Sequence, residues 1–230
     1  AGGIAFSKAA DIDEYIGKMP YKLTSAQQRV ISEIISDMES DRVMNRLLQG
    51  DVGSGKTAVA EAALFKAVKS GYQGVLMAPT EILARQHYTG LQKSFEPFGI
   101  TVDFLGGRLK ASERKKVLSR LEEGKTDILI GTHAVIQPDV LFNNLGLVIT
   151  DEQHRFGVNQ RSLLTRKGEK PDRLVMTATP IPRTLAAVIY GDLDVSVIDE
   201  LPAGRKAIVT KAVTGNGRNE VYDFVNEQLK

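Results

Sequence analysis

The sequence contains no cysteine, so neither a disulfide framework nor a thiolate metal site is available, and a reducing interior compartment is the simpler setting. Long apolar runs are missing too. The longest, such as Leu145–Ile149, span about five residues, against the roughly 20 that a membrane helix needs, so no membrane partner is expected. No basic, apolar, small-residue leader opens the chain, and it starts Ala1-Gly2-Gly3 rather than with methionine, as a piece cut from a longer protein would. Neither sign of charge dominates: 30 basic and 28 acidic side chains leave a formal +2, so total charge does not single out nucleic acid. There is no internal repeat and no low-complexity segment. With 42% hydrophobic and 25% charged residues, disorder and collagen-like fibres are excluded. What is present is a globular chain of 230 residues, enough for one large domain or one domain plus a fragment.

The charge is unevenly spread. Residues 1–45 carry five basic and seven acidic side chains, whereas residues 105–125 carry seven basic (Arg108, Lys110, Arg114, Lys115, Lys116, Arg120, Lys125) and three acidic. Residues 154–183 hold seven basic and two acidic, and residues 190–204 hold four acids and no base. One such cluster reads as a solvated helix face; two of them between acidic ends hint at a basic stripe.

Short runs rich in Val, Ile and Leu predict strands at Arg46–Gln49, Gly74–Ala78, Thr101–Leu105, Asp127–Gly131, Leu145–Thr150, Leu174–Thr177 and Val195–Ile198. They are mostly apolar on consecutive positions, which suits strands covered on both faces, as in a parallel sheet. Between them lie helical stretches at Gly55–Ser70, Glu81–Phe95, Ala111–Glu123, Asn159–Lys167 and Arg183–Ile189, and a further helix runs from Thr24, its N-cap, to about Glu39. Strand and helix alternating in this way predict a doubly wound α/β domain with helices on both faces of a mostly parallel sheet, and ligands at the carboxyl ends of the strands. Residues 1–22 read as the tail of a preceding module, 23–204 as the domain, and 205–230 as a linker and the start of another unit: Pro202 and Gly204 break the last strand, and a helix begins near Asn219.

Gly50-Asp51-Val52-Gly53-Ser54-Gly55-Lys56-Thr57 matches the phosphate-loop pattern, after an apolar strand and before an Ala-rich helix. Glycines let the backbone turn its N–H groups toward anionic oxygens, and the helix start adds a partial positive charge. Lys56 then reaches the β and γ phosphates, and the Thr57 hydroxyl holds Mg²⁺. Hydrolysis also requires a carboxylate, and the strand Leu147–Thr150 runs into Asp151-Glu152-Gln153-His154. Asp151, at the carboxyl end of a central strand, is placed for the metal's hydration shell, and Glu152 for orienting the attacking water. Magnesium-dependent hydrolysis of a nucleoside triphosphate is the expected chemistry, with Lys56, Asp151 and Glu152 as its catalytic residues. Three further strand ends, Ala78-Pro79-Thr80, Gly131-Thr132-His133 and Thr177-Ala178-Thr179, offer hydroxyls and free N–H groups where a phosphate chain can lie.

In the order Gln27, GDVGSGKT, APTEILA, GTHAVI, DEQHRFGV and TATPIPRT, the chain resembles the first motor domain of superfamily-two helicases, and among them the bacterial branch-migrating DNA helicases. The runs Tyr190–Val195 and Val197–Lys206 strengthen the likeness, which extends from about Tyr21 to the end. Transcription-repair coupling translocases share the DE-x-HRFGV and TATPIPRT runs but usually carry a second Glu where Gln153 stands. The resemblance implies a RecA-like P-loop NTPase fold that binds ATP and Mg²⁺, with Gln27 reading the adenine. It implies Thr80, Arg85, Thr132 and His133 near a DNA strand, and Gln153, His154, Thr177 and Thr179 linking the γ-phosphate to the DNA surface. The implied partners are branched or forked DNA and a wedge domain and second motor domain of the same chain, the latter supplying an arginine finger. The implied setting is the bacterial cytoplasm, at the nucleoid. Alternatives are a transcription-repair coupling type of motor, an RNA helicase, or a nucleotide-gated binding module without motor output. Thr150 stands where the family is more usually apolar.

Overall fold

A computed structural model describes residues 2–107, 109–151, 167–179, 193–200, 213–214 and 218–228. Its strands are β1 (Asn45–Gly50), β2 (Gln73–Met77), β3 (Val102–Leu105), β4 (Ile128–Gly131), β5 (Leu145–Asp151), β6 (Asp172–Thr177) and β7 (Asp194–Ile198), and its helices α1 (Asp13–Ile16), α2 (Ser25–Met38), α3 (Lys56–Lys69), α4 (Glu81–Phe95), α5 (Ala111–Glu122) and α6 (Arg218–Gln228). All seven strands join one sheet in the order β3-β4-β2-β5-β6-β1-β7, and each pairing is parallel. Every predicted strand is therefore present and the doubly wound α/β sheet is as expected. The expected helices at 159–167 and 183–189 and the linker at 201–206 lie outside the described residues, save Lys167.

Because the strands run in one direction, the loops after β1, β2, β4, β5 and β6 all open on one edge. Period-two alternation sends Leu76 of β2 to one face and Val75 and Met77 to the other. On the first face α2, α3 and α4 cover the sheet; α3 approaches closely because its buried residues include Ala58, Ala60, Ala62, Ala63 and Ala67. On the second face Leu121 of α5 packs with Leu129 and Val148. Residues ahead of α2 join the first core: the Tyr15 ring lies 5.2 Å from Phe65 and 5.3 Å from Phe95. Lys66, 1% exposed, ties this segment down by donating to Ala10 O at 2.9 Å while pairing with Glu39 at 2.5 Å. α6 is exposed from Arg218 to Glu227.

Thr24 caps α2 through a reciprocal capping box: its hydroxyl accepts from Gln27 N, and Gln27 Oε1 accepts from Thr24 N. Of the basic cluster at 105–125, Arg114 pairs with Asp139, Arg120 with Asp103 and Lys125 with Glu123. Lys110, Lys115 and Lys116 are exposed, so three of the cluster's seven bases are paired and three more lie on a solvated face. The second cluster falls mostly outside the described residues.

A carboxyl is buried at the amino end of β6. Asp172 accepts from Met44 N at 2.8 Å through one oxygen, while the other has no hydrogen-bond partner among the described residues. Burial, with the Asp37 charge nearby, pushes its pKa up to about 8 despite the Met44 bond. The folded state thus holds a proton that the unfolded chain releases near pH 4, so stability falls as pH rises from about 4 to about 8 and is flat above. Asp172→Asn keeps the acceptor and removes the titration. Urea unfolding of this variant is expected to lose that decline and to gain a few kcal/mol over wild type at pH 9, with little difference at pH 4; parallel curves for the two proteins would refute the assignment.

Candidate functional site

The loop after β1 takes its shape from two left-handed glycines, Gly53 (φ 78°) and Gly55 (φ 89°), a conformation that L side chains with a Cβ adopt only under strain. A Cβ at Gly55 would also run into Gln27 Nε2, and one at Gly50 would lie 2.5 Å from Ser54 Oγ. The predicted spacing thus corresponds to positions where a side chain has no room. α3 starts at Lys56, immediately after Gly55, so its free amides open on the loop. Lys56 Nζ donates to Gly50 O at 2.6 Å and Asp51 O at 3.0 Å, folding the ammonium over the loop. Thr57 is exposed in the first turn. Ser54, 1% exposed, has a hydroxyl with no partner among the described residues.

Across a cleft of about 570 Å³ from Gly53, Lys56 and Thr57 stand His87 of α4 and Asp151. Asp151 ends β5, two strands from β1, so sheet order alone carries the carboxylate to the loop. Its Oδ2 lies 2.7 Å from His87 Nε2. A larger cleft, about 1020 Å³, opens between Gly2, Tyr72, Leu145 and Lys170, on the side of the amino ends of β2, β5 and β6 and away from the phosphate loop and Asp151.

The other sequence-predicted residues sit as follows. Gln27, 2% exposed, has both ends of its amide engaged: Oε1 accepts from Thr24 N at 2.9 Å and Nε2 donates to Ser54 O at 2.8 Å. Each end keeps a second hydrogen-bonding position, one N–H and one lone pair, and the direct role visible is a clamp between α2 and the phosphate loop. Thr80 is the N-cap of α4, accepting from Leu83 N. Arg85 pairs with Glu81 at 2.9 Å and its guanidinium stands 4.5 Å over the Phe104 ring. Thr132 precedes a 3₁₀ turn, His133–Ile136, with His133 exposed. Thr177 Oγ1 accepts from Thr179 N at 3.1 Å. All of these occupy the carboxyl edge. Glu152, Gln153 and His154 lie outside the described residues.

His87 was not anticipated. A lone histidine in an amphipathic helix carries no spacing signature; the available cue was its place four residues after Leu83 and three after Ala84, on the inward side. Thr150 is buried with its hydroxyl unpaired among the described residues, and nothing in the structure explains it.

The donor set fits a magnesium nucleotide. Ser54 offers an unused buried hydroxyl, the loop offers amides and a cation, and Thr57 and Asp151 are hard oxygen ligands facing the same cleft. Among the described residues no cluster of three His, Asp or Glu could hold a metal by itself, which suits an ion that takes most of its ligands from phosphate and water.

Known proteins resemble this chain in sequence and in fold. Residues 24–188 match the family described as DEAD/DEAH box helicase. The ATP-dependent DNA helicase RecG of Bacillus subtilis (strain 168) is 56% identical over 96% of this chain, which covers 32% of that protein; its Thermotoga maritima counterpart is 54% identical over 94% of the chain and 28% of its own length. The chain therefore spans about a third of the length of these relatives. A solved structure of RecG bound to a three-way DNA junction superposes with a TM-score of 0.87 at 50% identity, over 99% of this chain and 31% of that one. The helicase MrfA, bound to DNA and AMPPNP, shares the fold at TM-score 0.71 and 17% identity, over 99% and 36%.

Proposed function

Since the chain belongs to the DEAD/DEAH box helicase family, we propose that it is the first motor domain of an ATP-dependent DNA helicase or translocase that remodels stalled replication forks and branched recombination intermediates. The observation that carries this is the glycine loop and Lys56 facing Asp151 across one cleft, on a chain half-identical to a protein solved on a three-way junction. In this reading the Gly53 and Gly55 turns hold the loop amides inward, Lys56 leaves its two carbonyls for the phosphates, and Thr57 and Asp151 hold the metal. Magnesium, when bound, neutralises charge developing on the transferred phosphoryl group. Glu152, directly after Asp151, orients the attacking water. Gln27 keeps the loop in register with α2, and an adenine that displaced Ser54 O from it would report nucleotide binding to the loop. The residues at the ends of β2, β4 and β6 face the DNA. The arginine finger, a wedge domain and the second motor domain belong to the rest of a chain of the relatives' length, in the bacterial cytoplasm. For the described residues themselves, no helix is long and apolar enough to cross a membrane.

The test is the ATPase rate of a chain of the relatives' full length with a three-way DNA junction, linear duplex DNA or RNA. Junction DNA is expected to stimulate most. Stimulation by RNA alone would reject the DNA assignment, and turnover indifferent to every nucleic acid would favour a nucleotide-gated binding module.

A further inference from the structure

A polar seam runs between α3 and α4 inside an otherwise apolar core, and it ends on the carboxylate assigned to the metal. Asp151 Oδ2 lies 2.7 Å from His87 Nε2, and the two side chains are only 14% and 11% exposed. A carboxylate oxygen can only accept, so Nε2–H is the donor and the ring fixes which face Asp151 turns to the cleft. Behind His87 lies Glu61 of α3, one helical turn after Thr57. It is 7% exposed, accepts from the Tyr15 hydroxyl at 2.5 Å, and bonds Ser94, about two turns beyond His87 on α4. Burial pushes the Glu61 carboxyl up, while Tyr15, the His87 charge and Ser94 pull it back down.

Burying these polar groups costs stability unless each is bonded, and hydrophobic packing has no use for them here. Their common feature is position: Thr57 and Asp151 form opposite walls of the cleft, and the seam connects the helices behind both. Ligating carboxylates are held by outer hydrogen bonds of this type, whose loss typically weakens metal binding about 10–100-fold.

We propose that His87 is a positioning residue for Asp151, holding its free oxygen toward the magnesium of a bound nucleotide, with Glu61 and Tyr15 setting the α3–α4 spacing from which the ring reaches across. This rests on the nucleotide reading given above and adds to it a residue that touches neither nucleotide nor metal.

The test is calorimetric titration of the full 230-residue chain with the non-cleavable analogue AMPPNP, once in Mg²⁺ and once in EDTA. The ratio of the two affinities is the metal-linked gain. His87→Ala is expected to cut that gain about tenfold or more and to leave the EDTA affinity within about twofold, a split that general loosening of the fold would not produce. His87→Gln, whose amide nitrogen can take the place of Nε2, is expected to restore most of it. Three outcomes overturn the proposal: an unchanged gain in His87→Ala, an increased gain (His87 would then compete with the metal for Asp151), or equal losses with and without Mg²⁺. Failure of the wild-type chain to bind AMPPNP under either condition is a different result, and it removes the nucleotide reading along with the inference.

Discussion

Replacing Lys56 with alanine is expected to weaken ATP binding by about 100-fold, the largest effect of any single change in the loop. The fold brings this ammonium over the glycine turn, where it holds Gly50 O at 2.6 Å and Asp51 O at 3.0 Å. Charge-assisted hydrogen bonds to phosphate are each worth roughly 1.5–3 kcal/mol, so losing one or two accounts for the drop. The same carbonyl contacts are partly exposed and strap only the loop. Thermal unfolding of Lys56→Ala should therefore stay within about 1 kcal/mol of wild type. A variant that unfolds early would say that Lys56 chiefly staples the loop. One that binds ATP as tightly as wild type in calorimetry would refute the phosphate cradle.

The loop was legible because its requirements are local. A left-handed backbone at Gly53 and Gly55 and the lack of room for a Cβ at Gly50 and Gly55 write themselves into the sequence as glycines at fixed spacing. The central strands were legible for a similar reason: covered on both faces, they have to be near-continuously apolar, as β2, β4 and β5 are, whereas the edge strands β3 and β7 carry Asp103 and Ser196 within them. Asp151 could be placed because the end of a central strand is a position that topology defines.

Gln27 and His87 show where this legibility stops. The Thr24-x-x-Gln27 spacing is itself a capping-box pattern, yet whether the amide serves the helix start, the loop or a base depends on α2 lying against the loop after β1. That contact is between residues far apart in sequence, and it commits both ends of the amide. His87 and Asp151 are 64 residues apart and meet because β2 and β5 are neighbours, which brings the helix after β2 over the end of β5. Neither residue's local sequence records the other. Residues 2–22 are a third instance. Phe6 and Tyr15 are buried in the main core, but an apolar residue every few positions in a short segment does not say which body it packs on.

Glu152→Gln separates the two carboxylates of the Asp-Glu pair by the step that each supports. Asp151, with one oxygen on His87 and the cleft before it, acts on binding in the proposed mechanism, so Asp151→Asn should lower the metal-linked affinity for nucleotide. Glu152 is the next residue in the chain and, in the proposed mechanism, acts on the water. Glutamine there keeps size and hydrogen-bonding reach but can neither attract the water's proton nor supply negative charge beside it. In a chain of the relatives' full length, junction-stimulated turnover of Glu152→Gln is expected to fall by about 10²–10⁴, with ATP affinity within about threefold of wild type. Single-turnover kinetics place the loss, since a defect in the chemical step slows the first turnover as much as later ones. Normal cycling by Glu152→Gln would move the water-orienting role to another residue. A loss of affinity equal to that of Asp151→Asn would make both carboxylates metal ligands, and the cleft would then have to draw its base from elsewhere on the carboxyl edge.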